Sequence, residues 1–420
     1  MNNFKNIQVI VIIIMLVFTT KFFQSTPMEI LFFQLQAVFL GITLLFLLAY
    51  VVDLIVKRKS INKVVLYFII LILFIPIYSA YRANIEFGQP YFYGLASQRG
   101  WLLLGTGVWV YYMLITRKIT IPNFEKAFLF MAFSSMIIFT LFVLFFDVSQ
   151  LGEESKFIIK SANRGLRFKF QYFFITFGSI YFFIKYFIQK KPIDFFLLLV
   201  FLAFTVLVIQ GRTYIIYLAI TFLLYYYFNS SFSKFSMIII KNILFLTLIL
   251  VIVQMITPEY IEKVGNMFME MFTVLGGEES KDMSSNARIW TSKIVVDYFH
   301  AHPVSLWFGS GQVSHQWNNG YERLFGYFYP PDIGILGGLF IYGIFGIIIL
   351  LIIPLILEIK EIKEAKDRNN IFISTIKYML ILSIVKFIQG GGIYFGANIW
   401  IVLFFILYGY NQLEKEVNNG

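Results

Sequence analysis

Apolar runs separated by short polar breaks fill almost the whole chain, and one long polar stretch interrupts them. An apolar run of about 20 residues crosses a bilayer as a helix, because each backbone amide must be satisfied within its own segment where water is absent. The pattern predicts spans at roughly 7–23, 31–56, 64–80, 101–116, 127–146, 170–188, 193–209, 213–228, 243–257, 333–357, 371–388 and 393–410. The interruption is the insert 258–332, between the ninth and tenth spans. The expected fold class is therefore an all-α polytopic membrane protein of about 12 transmembrane helices with one large extracytoplasmic loop. Residues 1–420 read as a single integral membrane domain that contains the insert. Ile7 to Phe23 reads as the first span, because Lys21-Phe22-Phe23-Gln24-Ser25-Thr26-Pro27 lacks a small-residue cleavage site. Neither a repeat of helical-array length nor a low-complexity segment is visible.

Composition agrees with the pattern. Hydrophobic residues make up 59% of the chain and charged residues 14%, which excludes a soluble globular protein. The net charge of +11 is explained by topology before nucleic acid is considered. With the N-terminus inside, Lys57-Arg58-Lys59 with Lys63, Arg117-Lys118, Lys190-Lys191 and Lys360 to Arg368 all face the cytoplasm. The expected placement is multi-pass in the cytoplasmic membrane, with both termini cytoplasmic. The outer loops are then 24–30, 81–100, 147–169, 210–212, 258–332 and 389–392. Arginine is unevenly shared: Arg82, Arg99, Arg164, Arg167, Arg212, Arg288 and Arg323 fall outside, against Arg58, Arg117 and Arg368 inside. A guanidinium grips phosphate with a planar fork of donors, so the excess points to an anionic, phosphorylated substrate on the outer face. The chain has no cysteine, which removes disulfides, thiol catalysis and thiolate metal sites.

Several residues carry candidate chemistry, each beside a plainer role. Arg212 stands in the tight turn Gln210-Gly211-Arg212, where a headgroup-reaching arginine and a pyrophosphate clamp are the two readings. Arg164 and Arg167, in Asn163-Arg164-Gly165-Leu166-Arg167-Phe168-Lys169, contact headgroups or form a second wall of the same site. Within the insert, 258–275 reads as an amphipathic helix lying on the membrane. Ser284-Ser285-Asn286 offer caps for a helix over about 287–299, with Arg288 in its first turn, where the dipole disfavours a cation unless an anion is near. Gly309 and Gly311, in Phe308-Gly309-Ser310-Gly311-Gln312, would let backbone amides approach a phosphate or sugar oxygen, or simply make a turn. Trp290, Trp307, Trp317 and Tyr321 suit sugar stacking or an interfacial belt. His302 and His315 are candidate bases or ligands, without the clustered carboxylates of a metal site. Asp332 opens a long apolar span after two prolines, either as its N-cap or as a carboxylate held at the membrane surface.

Taken together, Asn286-Ala287-Arg288-Ile289-Trp290, His302-Pro303, Phe308-Gly309-Ser310-Gly311, Asp332-Ile333-Gly334-Ile335-Leu336 and Tyr342-Gly343-Ile344-Phe345-Gly346 resemble the signature loop of the O-antigen polymerase and O-antigen ligase superfamily. Arg212 resembles the family's arginine after its seventh span. Ligases of this family carry a histidine near the end of the large loop, and here Asp332 stands in that place, which favours a polymerase. The resemblance implies a glycosyltransferase that joins undecaprenyl-diphosphate-linked oligosaccharides at the outer face, with a chain-length regulator and membrane lipid as further partners and no nucleic acid. Its product would be O-antigen, capsule or another surface polysaccharide. A diphosphate leaving group needs charge stabilisation, and no Asp-x-Asp pair stands in an outer loop to hold a metal. The expectation is a metal-independent enzyme without cofactor. Arg212, Arg288 and Arg167 hold the diphosphates, with Asp332 as first and His315 as second choice of base. The alternatives are a ligase of the same superfamily and a flippase for lipid-linked oligosaccharide, whose cations should instead line a cavity through the bundle.

Overall fold

A computed structural model describes residues 2–23, 28–56, 62–145, 158–161, 165–168, 171–209, 212–231, 283–365, 370–390 and 398–419. The protein is predominantly helical. Its N-terminal half comprises α1 (Asn2–Thr19), α2 (Glu29–Val56), α3 (Lys63–Phe87), α4 (Tyr91–Ser97), α5 (Gly105–Ile115) and α6 (Ile121–Phe145). A small antiparallel hairpin follows, β1 (Ile158–Ser161) with β2 (Gly165–Phe168), and then α7 (Phe173–Gln189), α8 (Pro192–Phe204) and α9 (Arg212–Asn229). Beyond the undescribed stretch come α10 (Met283–Ala301), α11 (Pro303–Phe308), α12 (Tyr321–Phe325), α13 (Gly334–Ile347), α14 (Ile353–Glu364), α15 (Ile371–Gly390) and α16 (Asn398–Asn419). Short 3-10 turns precede α5 and α13, and π-type turns link α8 to α9 and α13 to α14.

Four helical runs are long and apolar enough to cross a membrane: Glu29–Val56, Lys63–Phe87, Ile121–Phe145 and the continuous run Pro330–Glu364. Shorter apolar helices cover Ile7–Thr19, Phe173–Gln189, Pro192–Phe204 and Tyr214–Asn229. In the most apolar 18-residue stretch of α2 and of α6 only 28% of residues are buried, so most of that surface faces outward. Such an apolar exterior suits a lipid solvent, and the protein is membrane-embedded. The expected spans 243–257 and the amphipathic helix 258–275 lie outside the described residues.

Two expectations change. The stretch 81–100 is largely helical rather than loop: α3 continues to Phe87, about 10 Å past its expected end, and stops where Gly88 takes a left-handed φ of 73°. The stretch 147–169 contributes the hairpin, in which Arg167 pairs with Ile159, so the fold is not purely α.

Polar side chains pin the helix packing at the end of the bundle away from the insert. Asn62 caps α3 by accepting from Val64 N (3.0 Å) and donates to the hydroxyls of Tyr408 (2.7 Å) and Tyr111 (3.1 Å), tying α3 to α16 and α5. In α14, Glu358 accepts from Trp400 Nε1 at 2.8 Å and Glu361 from Asn411 Nδ2 at 2.8 Å, so both buried carboxylates are satisfied by α16.

Candidate functional site

The described part of the insert is a folded cap on one end of the bundle, and α3 is its post. Phe87, at the tip of α3, and Phe340, in α13, pack into an aromatic cluster with Tyr298, Tyr321, Phe325 and Phe328, with ring centroids 5.0–6.4 Å apart. One turn further down α3, Arg82 is buried, donates from Nε to Gly309 O at 2.8 Å and forms an ion pair with Glu86. Glu86 in turn accepts from the Tyr298 hydroxyl at 2.9 Å. Arg82, counted from sequence among the phosphate-gripping arginines, is thus a structural fastener.

The Gly309-Ser310-Gly311 segment completes the dock. The helical path of α13 breaks at Gly343, which has a φ of 69° and a ψ of 179°, so the carbonyls of Phe340 and Ile341 lose their partners one turn on. Ser310 N donates to Phe340 O at 2.8 Å and Gly311 N to Ile341 O at 2.9 Å, replacing those bonds. Gly309 N donates to Ser305 O at 2.8 Å. All three amides are engaged within the protein and none is offered to a ligand. The glycines serve close approach instead: a Cβ on Gly311 would lie 2.3 Å from Ser79 O, and one on Gly343 2.3 Å from Trp307 O.

Helix α10 packs beside this dock. Helix α10 is already formed at Met283, a turn earlier than expected, so Arg288 sits beyond the first turn and the dipole argument for an anion there lapses. Its guanidinium is exposed and within electrostatic reach of both Asp332 and the Tyr217 hydroxyl of α9. Asp332 belongs to the 3-10 turn Pro330–Ile333, and α13 starts from Ile333 without a side-chain cap bond. Its carboxylate is therefore not spent as an N-cap. Among the described residues no ion pair closer than 4.0 Å joins Asp332 to Arg288.

Lys386 was visible in the sequence only as a possible charge inside the membrane, in the flippase reading. Its ammonium stands 4.7 Å from the Tyr214 ring centroid and 5.1 Å from that of Tyr172, and among the described residues no carboxylate pairs with it. Among the described residues the buried Tyr214 hydroxyl has no hydrogen-bond partner. The signal available from sequence was a lone lysine in an apolar run. Helix α15 packs against α9 and against the turn that carries Asp332, and Lys386 itself stands at Tyr214, near the start of α9. Arg212 is the first residue of α9, and β2 packs on the 205–209 turn just before it; the side chains of Arg212 and Arg167 are outside the described residues, as is Arg164 altogether.

His315 is elsewhere. It lines a cavity of about 710 Å³ bounded by Lys21, the 97–104 stretch, and the insert from Gln312 to Pro331. Asp332 does not line it, although Pro331 before it does, so of the two candidate bases only His315 faces the cavity. Of the four aromatics expected to stack on sugars, Tyr321 is buried with its hydroxyl donating to Gly311 O at 2.7 Å, and Trp307 leans on Phe345 with 5.9 Å between centroids. Trp317 packs half-buried on the core, and Trp290 is exposed. Among the described residues no three His, Asp or Glu side chains converge as metal ligands would. In comparisons with known proteins, the chain matches no family model and no curated protein sequence.

Proposed function

We propose that the chain is a membrane glycosyltransferase that joins undecaprenyl-diphosphate-linked oligosaccharide repeat units into a surface polysaccharide, on the side of the membrane that carries the insert. The observation that supports it most is a carboxylate, Asp332, with Arg288 in electrostatic reach, on a turn against which the helix of Lys386 packs. Arg288 is within electrostatic reach of Asp332, helix α15, which carries Lys386, packs on the turn that holds Asp332 and on α9, which Arg212 opens, and Lys386 has no carboxylate partner among the described residues. An uncompensated cation next to a buried, unbonded tyrosine hydroxyl suits an incoming polyanion.

In this reading the donor diphosphate lies among Arg212, Arg288 and Lys386. The acceptor hydroxyl oxygen attacks the anomeric carbon of the donor sugar, and the bond from that carbon to the diphosphate oxygen breaks. The electron pair leaves with the lipid diphosphate, whose growing charge the three cations stabilise; removal of one such donor typically costs about 10²–10³ in rate. The acceptor proton passes to Asp332, and the product is a chain longer by one repeat unit.

Deletion of the gene is the test, with lipid-linked and surface glycans both analysed. A polymerase deletion displays single repeat units; polymer accumulating on its carrier would point to a ligase, and units trapped on the cytoplasmic leaflet to a flippase. Arg212→Ala and Arg212→Lys, checked for membrane level, are expected to abolish the ladder of chain lengths. A full ladder from both removes Arg212 from the chemistry.

A further inference from the structure

The 710 Å³ cavity takes no part in the diphosphate chemistry above, yet its size falls inside the ~300–1,000 Å³ range of small-ligand sites. Tyr329, Pro330 and Pro331 form a strap that lines it, and Asp332, the next residue, does not line it. The wall presents two kinds of surface. Tyr327 and Tyr329 are 63% and 54% exposed, and Trp101 joins them, so broad ring faces are left for a ligand to cover. His315 and Asn319 are exposed on the turn that Asn318 and Asn319 make in the left-handed region, and among the described residues neither side chain is hydrogen-bonded. The charges in the wall, Lys21 and Glu322, are opposite in sign. The cavity therefore offers ring faces and hydrogen-bonding groups without the net positive charge that a phosphate requires. A prenyl chain would leave the polar groups unpaired, which disfavours it.

We propose that this cavity is a glycan subsite that takes uncharged sugar rings. A pyranose has a face of C–H groups that stacks on an aromatic ring and a rim of hydroxyls that needs donors and acceptors, and both requirements are met here. The proposal rests on the polymerase reading, because it assigns the cavity to the oligosaccharide of a lipid-linked unit whose diphosphate is held beyond the strap. His315 is then a sugar contact and not the base.

The probe is oligosaccharide released by mild acid from the lipid-linked pool of the native host, titrated into purified full-length protein and followed by saturation-transfer NMR and calorimetry. Wild type is expected to bind it, and the Tyr327→Ala/Tyr329→Ala double variant to bind about tenfold or more weakly. Tyr327→Phe/Tyr329→Phe keeps the ring faces and is expected to restore most of the affinity, which excludes simple misfolding. Arg288→Ala is expected to bind the diphosphate-free probe as wild type does. No binding by wild type, or equal binding by the double alanine variant, overturns the glycan subsite. The functional reading fails separately: an intact ladder of chain lengths after gene deletion sinks it whatever the titration shows. If deletion abolishes the ladder and the double alanine variant still binds normally, only the cavity assignment falls.

Discussion

Asp332 stands where a carboxylate at the head of an apolar helix would ordinarily cap the first turn, yet Ile333 holds that position and no cap bond forms. The plain structural use of Asp332 is thereby removed, and its proximity to Arg288 remains. Asp332→Asn is expected to lower the rate of polymerisation by about 10²–10⁴ while leaving thermal stability close to wild type, measured with purified lipid-linked substrate. An unchanged rate would return Asp332 to a structural role. Lys386 leads to the opposite pairing of effects. A desolvated cation without a carboxylate is a burden on the fold, so Lys386→Met is expected to hold or raise the melting temperature while turnover falls about tenfold or more. Loss of both together would mark Lys386 as structural. Arg212 and Asp332 were legible in the sequence because each opens a span. Lys386 was not, because only the packing of α15 against α9 sets its ammonium over Tyr214 and Tyr172.

At the scale of elements, the insert is held to the bundle by a backbone exchange. The break at Gly343 frees carbonyls in α13, and the Gly309–Gly311 segment fills them while α3 supports it from behind. Gly311→Ala would set a Cβ 2.3 Å from Ser79 O at a φ of +82°, and is expected to cost about 2–3 kcal/mol, read as a lowered melting temperature and faster proteolysis of the insert. Arg82→Ala is expected to cost about 2–3 kcal/mol, because half-buried Glu86 would lose its cation and Gly309 O its donor. Glu86→Gln should cost less, since Tyr298 can still donate to the amide oxygen. Both glycine patterns were visible in sequence, but not their pairing: Gly343 is brought opposite Gly309 only by the fold. Arg82 misled for a related reason. A charge two residues past the expected end of a span reads as exposed unless one knows that the helix runs on to Phe87 and that the insert lands on it.

For the whole molecule, the arrangement predicts a sidedness that can be measured. The chain contains no cysteine, so single cysteines report without background. Arg323→Cys in the insert and Lys118→Cys between α5 and α6 are both at exposed positions. A membrane-impermeant maleimide added to intact cells is expected to label Arg323→Cys, and Lys118→Cys only after permeabilisation; the reverse pattern would overturn the proposed orientation and with it the extracytoplasmic site. The sequence by itself determined the helical class, the membrane as solvent and the place of the insert, because hydrophobic run length and charge at helix ends are local properties that a bilayer reads directly. Only the tertiary structure decided which polar residues meet. It spent Arg82 and the Gly309–Gly311 amides on holding the insert, set His315 but not Asp332 in the cavity wall, and placed Lys386 over Tyr214 and Tyr172, because contacts between residues far apart in the chain depend on how helices pack and leave no periodic trace along it.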